Sequence, residues 1–255
     1  MTLANSDWKI RSGKHGSTVI KILLAYGVTV MILLLIFVNG SEIDPNARAI
    51  IYMGTFALWL CWIGICGILM IKLRDPIKSK LGMKPERWKI KFVIFAIGLL
   101  LLEEIFTTLA TNMVEIFGGE YGKAFITASD NYFEVILLHS AIVIWPGFVF
   151  WAWWLKKYDF HPNWVLILFG LSGLLSEISF GGIQQVNAIG MWMMTYGLMI
   201  YLPAYCIPAD RGAVRPKLIH YLLPFILNVL FQLPMVFGVL LFRQAIGHTF
   251  PFVSD

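Results

Sequence analysis

Charge is scarce in this chain. It makes up 14% of the 255 positions, against 58% hydrophobic residues, which excludes an ordinary water-soluble domain, where about a quarter of residues are charged. Cysteine is scarce too. Cys61, Cys66 and Cys206 all fall in apolar runs and in no metal-ligand spacing, so neither a disulfide framework nor a zinc motif is expected. No segment is long and polar enough to form a separate soluble domain. An HExxH pair is absent, and the last apolar run has no central lysine for a retinal Schiff base.

What the chain has instead is apolar runs of about 20 residues, the length that crosses a bilayer as a helix. Seven are read, at 18–38, 49–71, 92–117, 133–155, 163–183, 188–207 and 218–242. The expectation is an all-α integral membrane protein, residues 1–255 forming one polytopic membrane domain in the cell membrane. The first run exceeds a signal-peptide core and lacks a small-residue cleavage site, so it is expected to stay as a helix.

The net charge of +5 has a location. All of the 20 Lys and Arg residues except Arg48, Lys123 and Arg243 fall on alternate connections: before the first run, in KLRDPIKSKLGMKPERWKIK, after the fourth run and after the sixth. The positive-inside rule then places the amino terminus in the cytoplasm and the carboxyl terminus outside. The partners implied are lipid headgroups, a hydrophobic lipid or peptide substrate and a neighbouring membrane protein, with no nucleic acid. The longest outer connection, GGEYGKAFITASDNY, is partly apolar and reads as a surface loop, the alternative being a segment that dips back into the membrane or lids a cavity.

Against this background the stretch GLLLLEEIFTTLATN is costly, because two adjacent carboxyls, Glu103 and Glu104, stand inside an apolar helix. Counting inward from the basic end of each helix, Glu104, His139, Glu177, Tyr196, Asn228 and Gln232 fall within a slab about 9 Å thick at 1.5 Å per residue. Glu104, Thr108, Thr111 and Glu115 follow helical spacing and form one polar stripe; Glu103 lies about 100° away beside Thr107. Gly170, Gly173, Glu177 and Gly181 share a face that lets another helix approach closely. Glu104, His139, Glu177 and Glu103 are therefore the candidate catalytic groups, suited to acid–base chemistry. Thr108, Tyr196, Asn228 and Gln232 are candidate substrate contacts. Glu104 is expected to face the site and Glu103 to hydrogen-bond a neighbouring helix. Whether a metal or other cofactor is held stays open.

LLLLEEIF resembles the first motif of the CAAX-protease and bacteriocin-processing family of glutamic intramembrane proteases, which pairs EExxxR with a later FxxxH and a final HxxxN. Glu103 and Glu104 match the glutamates, and His139, 36 residues on, suits the histidine of the second motif. Thr108 stands where that pattern has arginine, Val135 where it has phenylalanine, and His220 is followed by Pro224 instead of asparagine. The resemblance implies peptide hydrolysis, with a glutamate activating water. The expected function is thus a membrane-embedded enzyme acting on a lipid or membrane peptide. The alternatives are a small proton- or cation-coupled transporter and a structural subunit of a larger membrane complex.

Overall fold

The computed structural model describes residues 3–250, with side chains from Trp8 onward; residues 251–255, which carry the expected outer terminus, lie outside the described residues. The chain is an all-α membrane protein. Its helices are α1 (Leu3–Gly40), α2 (Pro45–Leu81), α3 (Trp88–Asn112), α4 (Tyr132–Leu138), α5 (Ala141–Lys157), α6 (Pro162–Gly181), α7 (Ile189–Cys206) and α8 (Ile219–Ala245). Among the described residues there is no strand, only an isolated bridge between Tyr158 and Val214. Among the described residues five helices are long and apolar enough to cross a membrane, α1, α2, α3, α6 and α8, or six if the bent pair α4 and α5 counts as one span.

The helix ends follow from local chemistry. At α2, the Asp44 side chain accepts the Ala47 N–H at 3.0 Å and Pro45 opens the first turn. Gly82 closes the same helix at φ +48°, a conformation that favours glycine, with Lys78 and Lys80 in the last turn. Within α2, Thr55–Cys66 is wound as a π-helix. Its wider turn brings Thr55, Leu58 and Trp59 to the bundle interior while Trp62 donates to the Thr195 carbonyl at 2.9 Å. Such π-segments concentrate at functional sites.

Three expectations are corrected here. The run 133–155 is broken: the chain bends by 49° between α4 and α5. His139 adopts φ −135°, ψ −74°, and the Val135 carbonyl takes the N–H groups of both His139 (3.2 Å) and Ser140 (2.9 Å). The run 92–117 stops at Asn112 and continues as the 3-10 turn Val114–Phe117, so Glu115 leaves the polar stripe and is exposed. The outer connection is a surface loop only in its first part, where residues 120–123 are exposed. Ala124, Ala128 and Ser129 are buried, and Thr111 and Asn112 hold the loop inward through the Ile126 N–H (3.3 Å) and the Asp130 carbonyl (2.8 Å). Its apolar AFITA core gains by burial, and α3 offers polar groups for its backbone.

The core sits around α7, most of which is buried. Gly170 and Gly173 of α6 meet Met193 and Tyr196 of α7 so closely that an added Cβ would lie 2.2 Å from the Met193 carbonyl oxygen and 2.1 Å from the Tyr196 ring. Small residues bring the two backbones into contact. By contrast α1 and α8 are mostly exposed along their apolar windows, at 6% and 11% buried. Ile22, Leu33, Ile36, Leu222 and Leu241 face outward, as lipid contact requires and water does not permit.

The basic segments gather at one end of the bundle. Asp159 joins Lys9 (2.9 Å) to Arg211 (2.7 Å), Arg74 donates to the Tyr201 hydroxyl at 3.4 Å and Tyr205 donates to Asp75. At the other end Asn46 accepts the Glu120 N–H at 2.8 Å.

Candidate functional site

Between these ends α1, α2, α3, α6, α7, α8 and the α4–α5 bend enclose a cavity of about 750 Å³. Its walls are largely apolar. Its polar groups come from every side: Glu103, Glu104 and Thr107 from α3; Thr127 from the inward loop; His139 and Ser140 from the bend; Glu177 from α6; Thr195 and Tyr196 from α7; Asn228, Gln232 and Arg243 from α8.

Two glutamates are held by hydroxyls. Thr107 donates to Glu104 Oε2 at 3.2 Å and Thr127 reaches the same oxygen at 3.5 Å. Ser140, whose own hydroxyl lies 3.2 Å from the Val135 carbonyl, also sits beside this carboxyl. Glu177 accepts a short hydrogen bond, 2.5 Å, from the Tyr196 hydroxyl. Glu103 differs: among the described residues no hydrogen bond to its carboxyl is seen, although the residue is buried and borders the cavity. Glu177 lines the same cavity as both members of the pair, so the three carboxyls face one space.

Half of the expected division within the pair is corrected: Glu104 faces the cavity as expected, but Glu103 faces it too and forms no hydrogen bond to a neighbouring helix among the described residues. Both glutamates border the cavity, and Glu104 is the one engaged in hydrogen bonds. The void extends from α2 and α7 to the α4–α5 bend, wide enough to receive side chains that leave α3 about 100° apart. Thr108 is a second correction. It is buried outside the cavity, its hydroxyl without a hydrogen-bond partner among the described residues. Thr107 takes the expected place because its side chain leans back one turn onto Glu104.

His139 borders the same cavity in different company. Its ring lies against Phe180 (6.0 Å between centroids) and edge-to-face with Phe250 (5.5 Å), close enough to Arg243 to feel its charge. The Arg243 guanidinium lies 3.9 Å over the Phe250 ring. No hydrogen bond joins His139 to a glutamate among the described residues. The site therefore has two poles, an acidic one at Glu103, Glu104 and Glu177 and a basic one at His139 and Arg243.

Asn228 supplies a third feature. It is 0% exposed and, among the described residues, neither amide atom has a hydrogen-bond partner. Gly147 makes room for it: a Cβ there would lie 2.8 Å from Asn228 Oδ1 and 2.7 Å from Gln232 Nε2. Buried amides of this kind are normally paired, so Asn228 holds hydrogen-bonding capacity in reserve along the cavity wall. His220, the late histidine, stacks on Tyr158 at 3.9 Å at the basic end and does not border the cavity. Among the described residues, no three His, Cys, Asp or Glu side chains are arranged to hold a metal ion.

Sequence reasoning did not single out Thr127, Ser140, Thr195 or Arg243. Arg243 carried the available signal, as a lone cation close to the end of an otherwise apolar run. Comparison with protein-family models, curated proteins and solved structures finds no match to this chain.

Proposed function

We propose that this protein is an intramembrane enzyme that cleaves a lipid or a membrane peptide by glutamate acid–base chemistry. One observation carries the reading: the Glu103 carboxyl, free of hydrogen bonds among the described residues, stands in a large apolar-walled cavity beside Glu104 and Glu177. Water held there would give a proton to Glu103, once that carboxyl is ionised, as it attacks a substrate carbonyl, and that proton would pass to the leaving group. Glu104, fixed by Thr107 and Thr127, holds the opposite side of the water. The resemblance of LLLLEEIF to the glutamic intramembrane proteases supports the same chemistry, with Thr108, Val135 and Pro224 departing from that family's pattern.

The bundle is proposed to cross the cell membrane seven times, α7 serving as the inner pass, with the basic end in the cytoplasm. The meeting of the basic segments at one end supports this orientation. A reporter inserted in the 75–90 connection should then be active only in the cytoplasm.

A second reading has an observation of its own. The acidic pole has no cation paired with it among the described residues, as a carrier of protons or cations would require. Proteoliposomes separate the two. The purified protein, incubated with membrane lipids and with hydrophobic peptides, should release cleavage products detectable by mass spectrometry, and Glu103→Gln should abolish release while leaving thermal unfolding nearly unchanged. If no product forms and the vesicles instead show proton or ²²Na⁺ flux lost in Glu103→Gln, the protein is a carrier.

A further inference from the structure

At the basic end a second cavity, of about 360 Å³, opens between α1, α2, the α5–α6 turn and the chain leaving α7. Lys9, Lys78, His161, Tyr205 and Arg211 supply its polar lining, and among the described residues no carboxylate lines it. Ile10, Phe160 and Ile207 give it apolar walls.

Its charges are under-compensated. Lys9 and Arg211 share the single carboxylate of Asp159, at 2.9 and 2.7 Å. Arg211, with a side chain 2% exposed, is held in place by the Leu155 and Pro208 carbonyls, both at 2.8 Å; it contributes field more than free donors. Lys9 spends its two observed contacts on that one carboxylate and is 27% exposed, which leaves donor capacity toward the cavity. Lys78 lies 5.1 Å over the Tyr205 ring and forms no ion pair among the described residues. Lys9, Lys78, Arg211 and Arg74, the last over the Tyr205 ring, outnumber Asp159, the Tyr205-bound Asp75 and the exposed Asp210 among the described residues, which leaves the apolar-walled space net positive.

Such a space selects an anion attached to an apolar body, and basic pockets between helices at this level are suited to acidic headgroups. We propose that this cavity binds a phosphate-bearing amphiphile, with Lys9 and Lys78 on the phosphate oxygens and the apolar part against Ile10, Phe160 and Ile207. The chemistry is shared by an anionic phospholipid and a soluble phosphate ester. The proposal is independent of the acidic cavity and of any reaction there.

The full chain in phosphatidylcholine nanodiscs, titrated with short-chain phosphatidylglycerol and separately with glycerol phosphate, distinguishes the sources by native mass spectrometry. One saturable phosphatidylglycerol per chain, without competition by glycerol phosphate, identifies a lipid. Equally tight saturable binding of glycerol phosphate identifies a soluble ester at the same site. In either case Lys78→Gln should weaken binding about fivefold, and Ala209→Trp, which fills the space from its exposed rim, should abolish it. Lys80→Gln, an exposed charge outside the cavity, should leave it unchanged. Absence of saturable binding in both arms, or binding that folded Lys78→Gln and Ala209→Trp proteins retain in full, overturns the proposal.

Discussion

The contact between α6 and α7 positions Glu177 and Tyr196, and a single methyl group tests it. In Gly170→Ala the new Cβ would lie 2.2 Å from the Met193 carbonyl oxygen and 2.9 Å from the Met193 Cα. An unstrained contact needs about 3.5 Å, so the two helices would have to part by roughly 1 Å. Overpacking costs about 1–3 kcal/mol where side chains can yield; here the obstacle is backbone, so the upper end applies. Exchanging glycine for alanine in a helix returns about 1 kcal/mol, leaving a net loss of about 2 kcal/mol. Gly98, exposed on α3, is the internal control, because a Cβ there meets nothing within 4 Å. Gly98→Ala should therefore gain about 1 kcal/mol by the same propensity term. Equilibrium unfolding in mixed dodecylmaltoside–SDS micelles measures both. If Gly170→Ala proves as stable as Gly98→Ala, the close approach of α6 and α7 is wrong, and with it the placement of Glu177 beside Tyr196.

Two further predictions concern single side chains. Tyr196→Phe removes the 2.5 Å hydrogen bond to Glu177; it should cost about 1.5–3 kcal/mol and shift the Glu177 carboxyl stretch in difference infrared spectra, and an unmoved band would refute the pairing. His161, the N-cap of α6, has its pKa held below the usual histidine value by burial first and then by Lys9 and Arg74, with Asp159 opposing. A folded-state pKa below the unfolded one means that its contribution to stability is fully present above about pH 6.5 and is lost as pH falls; an NMR titration midpoint at or above 6.5 would contradict this.

The hydroxyl network around Glu104 shows where residue order stops being informative. Glu104 and its neighbours on α3 were readable as an anomaly, since carboxyls in an apolar run demand a partner wherever the helix is placed. Which threonine serves Glu104 was not readable. Thr107 and Thr108 both lie within one turn, and only the rotation of α3 against its neighbours decides between them. Thr127 was hidden for a different reason. It sits on a connection whose inward fold depends on Thr111 and Asn112 capturing its backbone, a long-range event with no periodic signal.

The sequence by itself determined that the chain is helical, that it belongs in a membrane, and where along it the basic charge and the polar interruptions lie. These are properties of one dimension. Each apolar helix satisfies its own backbone, so length and hydropathy along the chain suffice. The tertiary structure decided the rest: the break at His139, the exposure of Glu103 to the cavity, the grouping of three carboxyls, the seat of His139 with Arg243 and Phe250, and the unpaired amide of Asn228. Each of these depends on how helices rotate and approach one another, which is set by packing at contacts such as Gly170 on Met193 and Gly147 on Asn228.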